Sequence, residues 1–133
     1  MKILLLVLCL VTLPFSSYAK TFKTEQQKQF VIKLIKQQVK TNKSIGSSVN
    51  ALLKRYPERV DMIVPTALDL YPNSYEEIII GAIDAEPALA CDVVNAAINS
   101  KSVTVEDAVA IAIEAEPAYA KEIVEVAIRA RPN

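Results

Sequence analysis

Apolar positions recur every fifteen residues from residue 43 onward, and prolines mark the period. Prolines stand at 57, 72, 87, 117 and 132, with Ser102 in the one vacant slot. Cut there, the chain gives six units: KSIGSSVNALLKRYP (43–57), ERVDMIVPTALDLYP (58–72), NSYEEIIIGAIDAEP (73–87), ALACDVVNAAINSKS (88–102), VTVEDAVAIAIEAEP (103–117) and AYAKEIVEVAIRARP (118–132). The third, seventh, tenth and eleventh positions of a unit are almost always apolar, as Val105, Val109, Ala112 and Ile113 are in the fifth. That is i, i+4, i+7, i+8, one face of an α-helix; a half-buried strand would alternate by two. An interior proline costs a helix about 3 kcal/mol, so the units cannot merge into one long helix. Each is expected to be a helix of about eleven residues plus a turn, too short to stand without neighbours.

The units also alternate. Units three and five open on Ser74-x-x-Glu77 and Thr104-x-x-Asp107, a capping box and a close variant. Units four and six open directly after Pro87 and Pro117, residues suited to a first helical turn. The repeat therefore reads as thirty residues: a capped helix, a tight Glu-Pro turn, and a proline-started helix. This accounts for the near-duplication of AIDAEPALACDVV (82–94) in AIEAEPAYAKEIV (112–124). Position ten is Ala67, Ala82, Ala97, Ala112 and Ala127, small residues that let helix axes approach. Pro65 interrupts the second helix, where a kink is expected. The fold class is all-α: a short α-solenoid of antiparallel helical hairpins with a 30-residue repeat. The motif P-x-x-A-x-x-I/V-V-x-x-A-I, over about residues 73–132, resembles repeats in small exported bacterial proteins without an assigned activity. That resemblance implies no active-site residues.

The stretch 20–42 lies outside the repeat. Phe30, Val31, Leu34, Ile35 and Val39 can share one helical face, with Lys28, Lys33, Lys36 and Lys40 rimming or opposing it. A basic amphipathic helix of this kind either caps the open end of the stack or docks on an anionic membrane surface or acidic partner. Residues 1–19 read as a secretory signal peptide: Lys2, an apolar run over 3–13, and Ser17-Tyr18-Ala19 as the cleavage signal. Export to the periplasm or beyond is expected, with cleavage after Ala19. The organisation is thus leader 1–19, arm 20–42 and repeat domain 43–133.

Removing the leader with Cys9 leaves Cys91 as the one thiol, so no intramolecular disulfide is expected and stability must come from packing. Cys91 reads first as a small helix residue, with an intermolecular disulfide as the other reading. Charge is polarised. Residues 20–59 carry ten Lys/Arg against two acids, and residues 60–133 carry four against thirteen.

Chemistry is constrained by what is missing. The chain has no histidine, which removes Ser-His-Asp and Cys-His nucleophile systems and most zinc sites. With Gly46 and Gly81 alone, a glycine-rich phosphate loop is excluded. The pairs Glu76/Glu77 and Glu106/Asp107 fall in first helical turns, where negative charge suits the helix dipole. Positions four, eight and twelve face outward and give an acidic stripe of Asp61, Asp69, Glu76, Asp84, Glu106 and Glu114. It is either a solvated face or a surface for a basic partner, including the arm of another copy. The expectation is a non-enzymatic, exported helical-repeat protein that binds a protein partner, with no cofactor, no metal and no nucleic acid. Self-association and contact with an anionic membrane surface through the arm are the further expectations.

Overall fold

The computed structural model describes residues 15–42 and 44–131, with side-chain environments from Lys23 onward. The expected leader through Pro14, with Cys9, lies outside the described residues. The elements are α1 (Phe15–Asn42), α2 (Ile45–Arg55), α3 (Val60–Leu70), α4 (Tyr75–Ala85), α5 (Ala90–Ser100), α6 (Val105–Ala115) and α7 (Ala120–Ala130). From α2 to α7 every helix has 11 residues, as the proline spacing predicts. The backbone of α1 is helical through the expected cleavage point after Ala19.

Proline sets the turns by a local mechanism. The residue before a proline is driven out of the helical region, because the ring crowds its backbone. Tyr56, Tyr71, Glu86 and Glu116 accordingly sit at φ −132, −132, −150 and −143. Each is followed by a 3₁₀ turn: Pro57–Arg59, Pro72–Ser74, Pro87–Leu89 and Pro117–Tyr119. Their closing bonds run from Arg59 N to Tyr56 O (3.0 Å), Ser74 N to Tyr71 O (3.1 Å), Leu89 N to Glu86 O (2.9 Å) and Tyr119 N to Glu116 O (3.2 Å).

This corrects the expected alternation. Unit three is entered by the same Pro-3₁₀ turn as units two, four and six, and Ser74 ends that turn at φ −107, ψ 25 without a side-chain cap. The capping box Ser74–Glu77 therefore does not form. Thr104 does cap: its Oγ1 accepts from Asp107 N at 3.1 Å. The difference traces to Ser102, which stands where a proline would. Without the ring, the α5–α6 turn closes through Lys101 at φ 60, a left-handed conformation, with Ser100 Oγ accepting from Ser102 N at 3.3 Å. Pro65 lies inside α3. Helix α3 runs through it without a break, and the Asp61 carbonyl that loses its donor belongs to an exposed residue near the helix start.

The hairpins stack in two layers. Helices α2, α4 and α6 pack in sequence along one layer, and α3, α5 and α7 along the other. Position six (Ser48, Ile63, Ile78, Val93, Ala108, Ile123) is buried in every unit, as is position ten (Leu52 and the five alanines). Positions seven and eleven behave differently. Val49, Val64, Ile79, Val94, Leu53, Leu68 and Ile83 are buried, Val109, Ile98 and Ile113 are half-buried, and Val124 and Ile128 are exposed. Positions six and ten thus face the preceding helix of the same layer, and seven and eleven face the following one.

Helix α1 covers the first hairpin, packing on α2 and α3. Val31 and Ile35 are buried, Leu34 and Val39 half-buried, and Phe30 exposed. The apolar face is narrower than the sequence suggests: among residues 23–30 only Gln27 is partly covered. No described helix is long and apolar enough to cross a membrane.

Candidate interaction surface

Two glycines shape the most built part of the lateral surface. Gly46 lies in the first turn of α2 and Gly81 in the second half of α4, both buried. A Cβ on Gly81 would fall far inside contact distance of the Gly46 carbonyl oxygen, and one on Gly46 would lie 2.9 Å from Glu77 O. Backbone approach this close is available only without side chains. It lets Asn50 Nδ2 donate to Gly81 O at 3.0 Å, a helix carbonyl otherwise committed to its own ladder. Ser44 Oγ donates to Glu77 Oε2 at 3.4 Å, and also accepts from Ser47 N at 3.3 Å, capping α2.

Over this contact lies an open depression of about 640 Å³, lined by Ser44, Ser47, Asn50, Glu77, Ile80 and Asp84 with the two glycines. Glu77, Asp84 and Ile80 are exposed. Sequence reasoning selected only Asp84 here. The signal for the rest was the pair of glycines, the only two in the chain, in otherwise alanine-rich helices.

All ten charged residues expected at an interaction surface are exposed: Lys28, Lys33, Lys36 and Lys40 on α1, and Asp61, Asp69, Glu76, Asp84, Glu106 and Glu114 on the body. The six acids of the expected stripe divide between the layers. Glu76, Asp84, Glu106 and Glu114 lie on α4 and α6, in one layer; Asp61 and Asp69 lie on α3, in the other. Asp69 meets Lys28 of the chain's own arm at 4.0 Å, an exposed pair that contributes at most about 1 kcal/mol. Glu106 pairs with Arg131. Glu76, Glu77, Glu106 and Asp107 fall in the first turns of α4 and α6, as expected for dipole-stabilising acids.

Cys91 is a half-buried free thiol on α5. Burial pushes its pKa up, the carboxylates of Glu122 and Asp92 push it further, and Arg129 acts in the opposite direction. Its thiolate fraction at neutral pH is therefore below that of an ordinary cysteine, the reverse of a primed nucleophile. Among the described residues no group of three His, Cys, Asp or Glu side chains is placed to hold a metal ion. The chain matches no protein-family model, no curated protein and no solved structure. The class defined by the fold is a two-layer helical repeat.

Proposed function

We propose that this chain is an exported, non-enzymatic helical-repeat scaffold that binds another protein in the cell envelope through the α2/α4 surface. The supporting observation is the depression over Gly46 and Gly81. It is broad and open, it presents exposed Ile80 between Glu77 and Asp84, and its floor is fixed by the Asn50–Gly81 hydrogen bond. An open, mixed surface on a rigid pair of helices suits a protein segment better than a small molecule, which needs enclosure. Its acids favour a partner segment carrying Lys or Arg beside an apolar side chain.

Photo-crosslinking in intact cells tests this, with the reactive residue placed at Ile80 and, as control, at exposed Asn99 on the opposite layer. A discrete adduct from position 80, absent at 99 and lost with Asp84→Lys, is the expected result. Fractionation and N-terminal sequencing of the same material should place the chain outside the cytoplasm, beginning at Lys20. Sedimentation with anionic vesicles, abolished by Lys33→Glu and Lys36→Glu, together with no adduct at 80, would replace this reading with a membrane-surface one.

A further inference from the structure

Among the described residues, the stack is covered at one end and open at the other. Helix α1 lies over the first hairpin, whereas no described residue lies over the last. Val124 and Ile128 on α7 are 41% and 67% exposed. Their counterparts two helices earlier, Val94 on α5 and Ile98, are fully and partly buried under the next hairpin. With Val105, Val109 and Ala127 they line a groove of about 510 Å³ between α6 and α7, closed at one edge by the Glu106–Arg131 pair. An apolar terminal face of this kind is what repeat arrays ordinarily cover.

We propose that this face binds the same face of a second copy, giving a two-fold symmetric dimer through α6 and α7. Charge selects the partner and the arrangement. Of the two ways to lay the hairpin on itself about an axis in the interface, one places α6 on α6 and α7 on α7. That carries the Glu106–Arg131 edge of one copy to the far end of the contact from the same edge of the other, so the rim charges do not meet. The other runs the axis along the helices and lays α6 over α7. Glu106 and Arg131 stand at the same height on neighbouring helices, as their ion pair requires. In this second arrangement Glu106 of each copy comes over Arg131 of the other, and the four charges close a ring at the edge of the apolar contact. The face is thus self-complementary in the sense an isologous interface needs. The apolar centre supplies the attraction, since rim charges chiefly set orientation.

This goes beyond the scaffold reading and does not depend on it: the lateral surface around Ile80 stays free in the dimer, so either proposal can fail alone. The test is sedimentation velocity of the purified chain across a concentration series, beside Glu106→Arg, Arg131→Glu and Ile128→Asp. The wild type should be dimeric, and each variant should weaken association about ten-fold or more, with helical circular dichroism unchanged. The decisive sample is an equimolar mixture of the Glu106→Arg and Arg131→Glu proteins. Each alone sets like charges against each other on the rim and self-associates weakly; mixed, they should form a heterodimer at concentrations where neither does so alone. Mixing cannot restore the ion pair within one chain, so recovery reports contact between copies. A wild type that stays monomeric throughout, a dimer indifferent to Ile128→Asp, or a mixture that fails to associate would each overturn the proposal.

Discussion

Lys101 is the residue whose conformation most clearly departs from its chemistry. It holds φ 60 at the end of α5, where a side chain crowds the following carbonyl at a cost of about 1–2 kcal/mol and glycine does not. Lys101→Gly should therefore stabilise the fold by about 0.5–1 kcal/mol, the gain being reduced by the larger entropy of the unfolded glycine chain. A denaturant midpoint that moves down would show that the turn is held in some other geometry. Thr104 and Ser74 make a paired test at the same scale. Both look like caps in the sequence, yet only Thr104 accepts a backbone hydrogen bond. Thr104→Ala should cost about 1 kcal/mol, and Ser74→Ala should change stability by less than about 0.5 kcal/mol. Equal losses by chemical denaturation would contradict the turn assignments. The reason this was illegible in sequence is that a capping motif reports what a side chain could do. The proline at 72 had already settled the backbone conformation at 74.

At the scale of the helix, small residues decide how closely elements pack, and two kinds are used. The alanines at position ten lie in ordinary interhelix contact; Ala97 is completely buried. Ala97→Leu should overpack the α5 contacts and cost about 1–3 kcal/mol. Gly81 is more demanding, since even one methyl group would meet the Gly46 backbone. Intrinsic propensity favours alanine over glycine in a helix interior by about 1 kcal/mol. Gly81→Ala should nonetheless destabilise, because the obstructing atom is a backbone oxygen that cannot rotate away. Thermal melts of the two variants give the comparison directly, and a stabilised Gly81→Ala protein would refute the close approach of α2 and α4. The alanine column was visible as a repeat. The glycine contact was not, because Gly46 and Gly81 occupy different positions within their units and meet only when α4 is laid on α2.

For the whole molecule the arm is the part whose role sequence left open. Its packing makes a specific prediction: Val31 is 1% exposed and Phe30 is 56% exposed, although they are neighbours on the expected apolar face. Val31→Asp places an unpaired charge against α2 and α3, and should lower stability by several kcal/mol or detach the arm. Phe30→Asp should be nearly silent, within about 0.5 kcal/mol. Hydrogen exchange of the first hairpin, alongside melting, distinguishes the two effects: detachment of α1 should raise exchange in α2 and α3 before α6 or α7. The reverse order of sensitivity, Phe30 above Val31, would mean that α1 docks with another face. The same reasoning explains why the six acids of the expected stripe divide between the two layers. Outward direction is fixed within each helix, but successive helices belong to opposite layers.

The length of each repeat helix, the place of each turn and the buried alanine column follow from the sequence alone. They depend on interactions within a few residues: the 3.6-residue period and the steric effect of proline on the residue before it. Which helices stack, and what becomes of a given apolar position, were decided by tertiary structure. Val94 and Val124 hold the same place in their units, yet one is buried and the other 41% exposed. Periodicity states which side of a helix is apolar; burial requires another element on that side. On the last hairpin no described element lies on that side, which is why the open face at α6 and α7 could be found only once the stack was assembled.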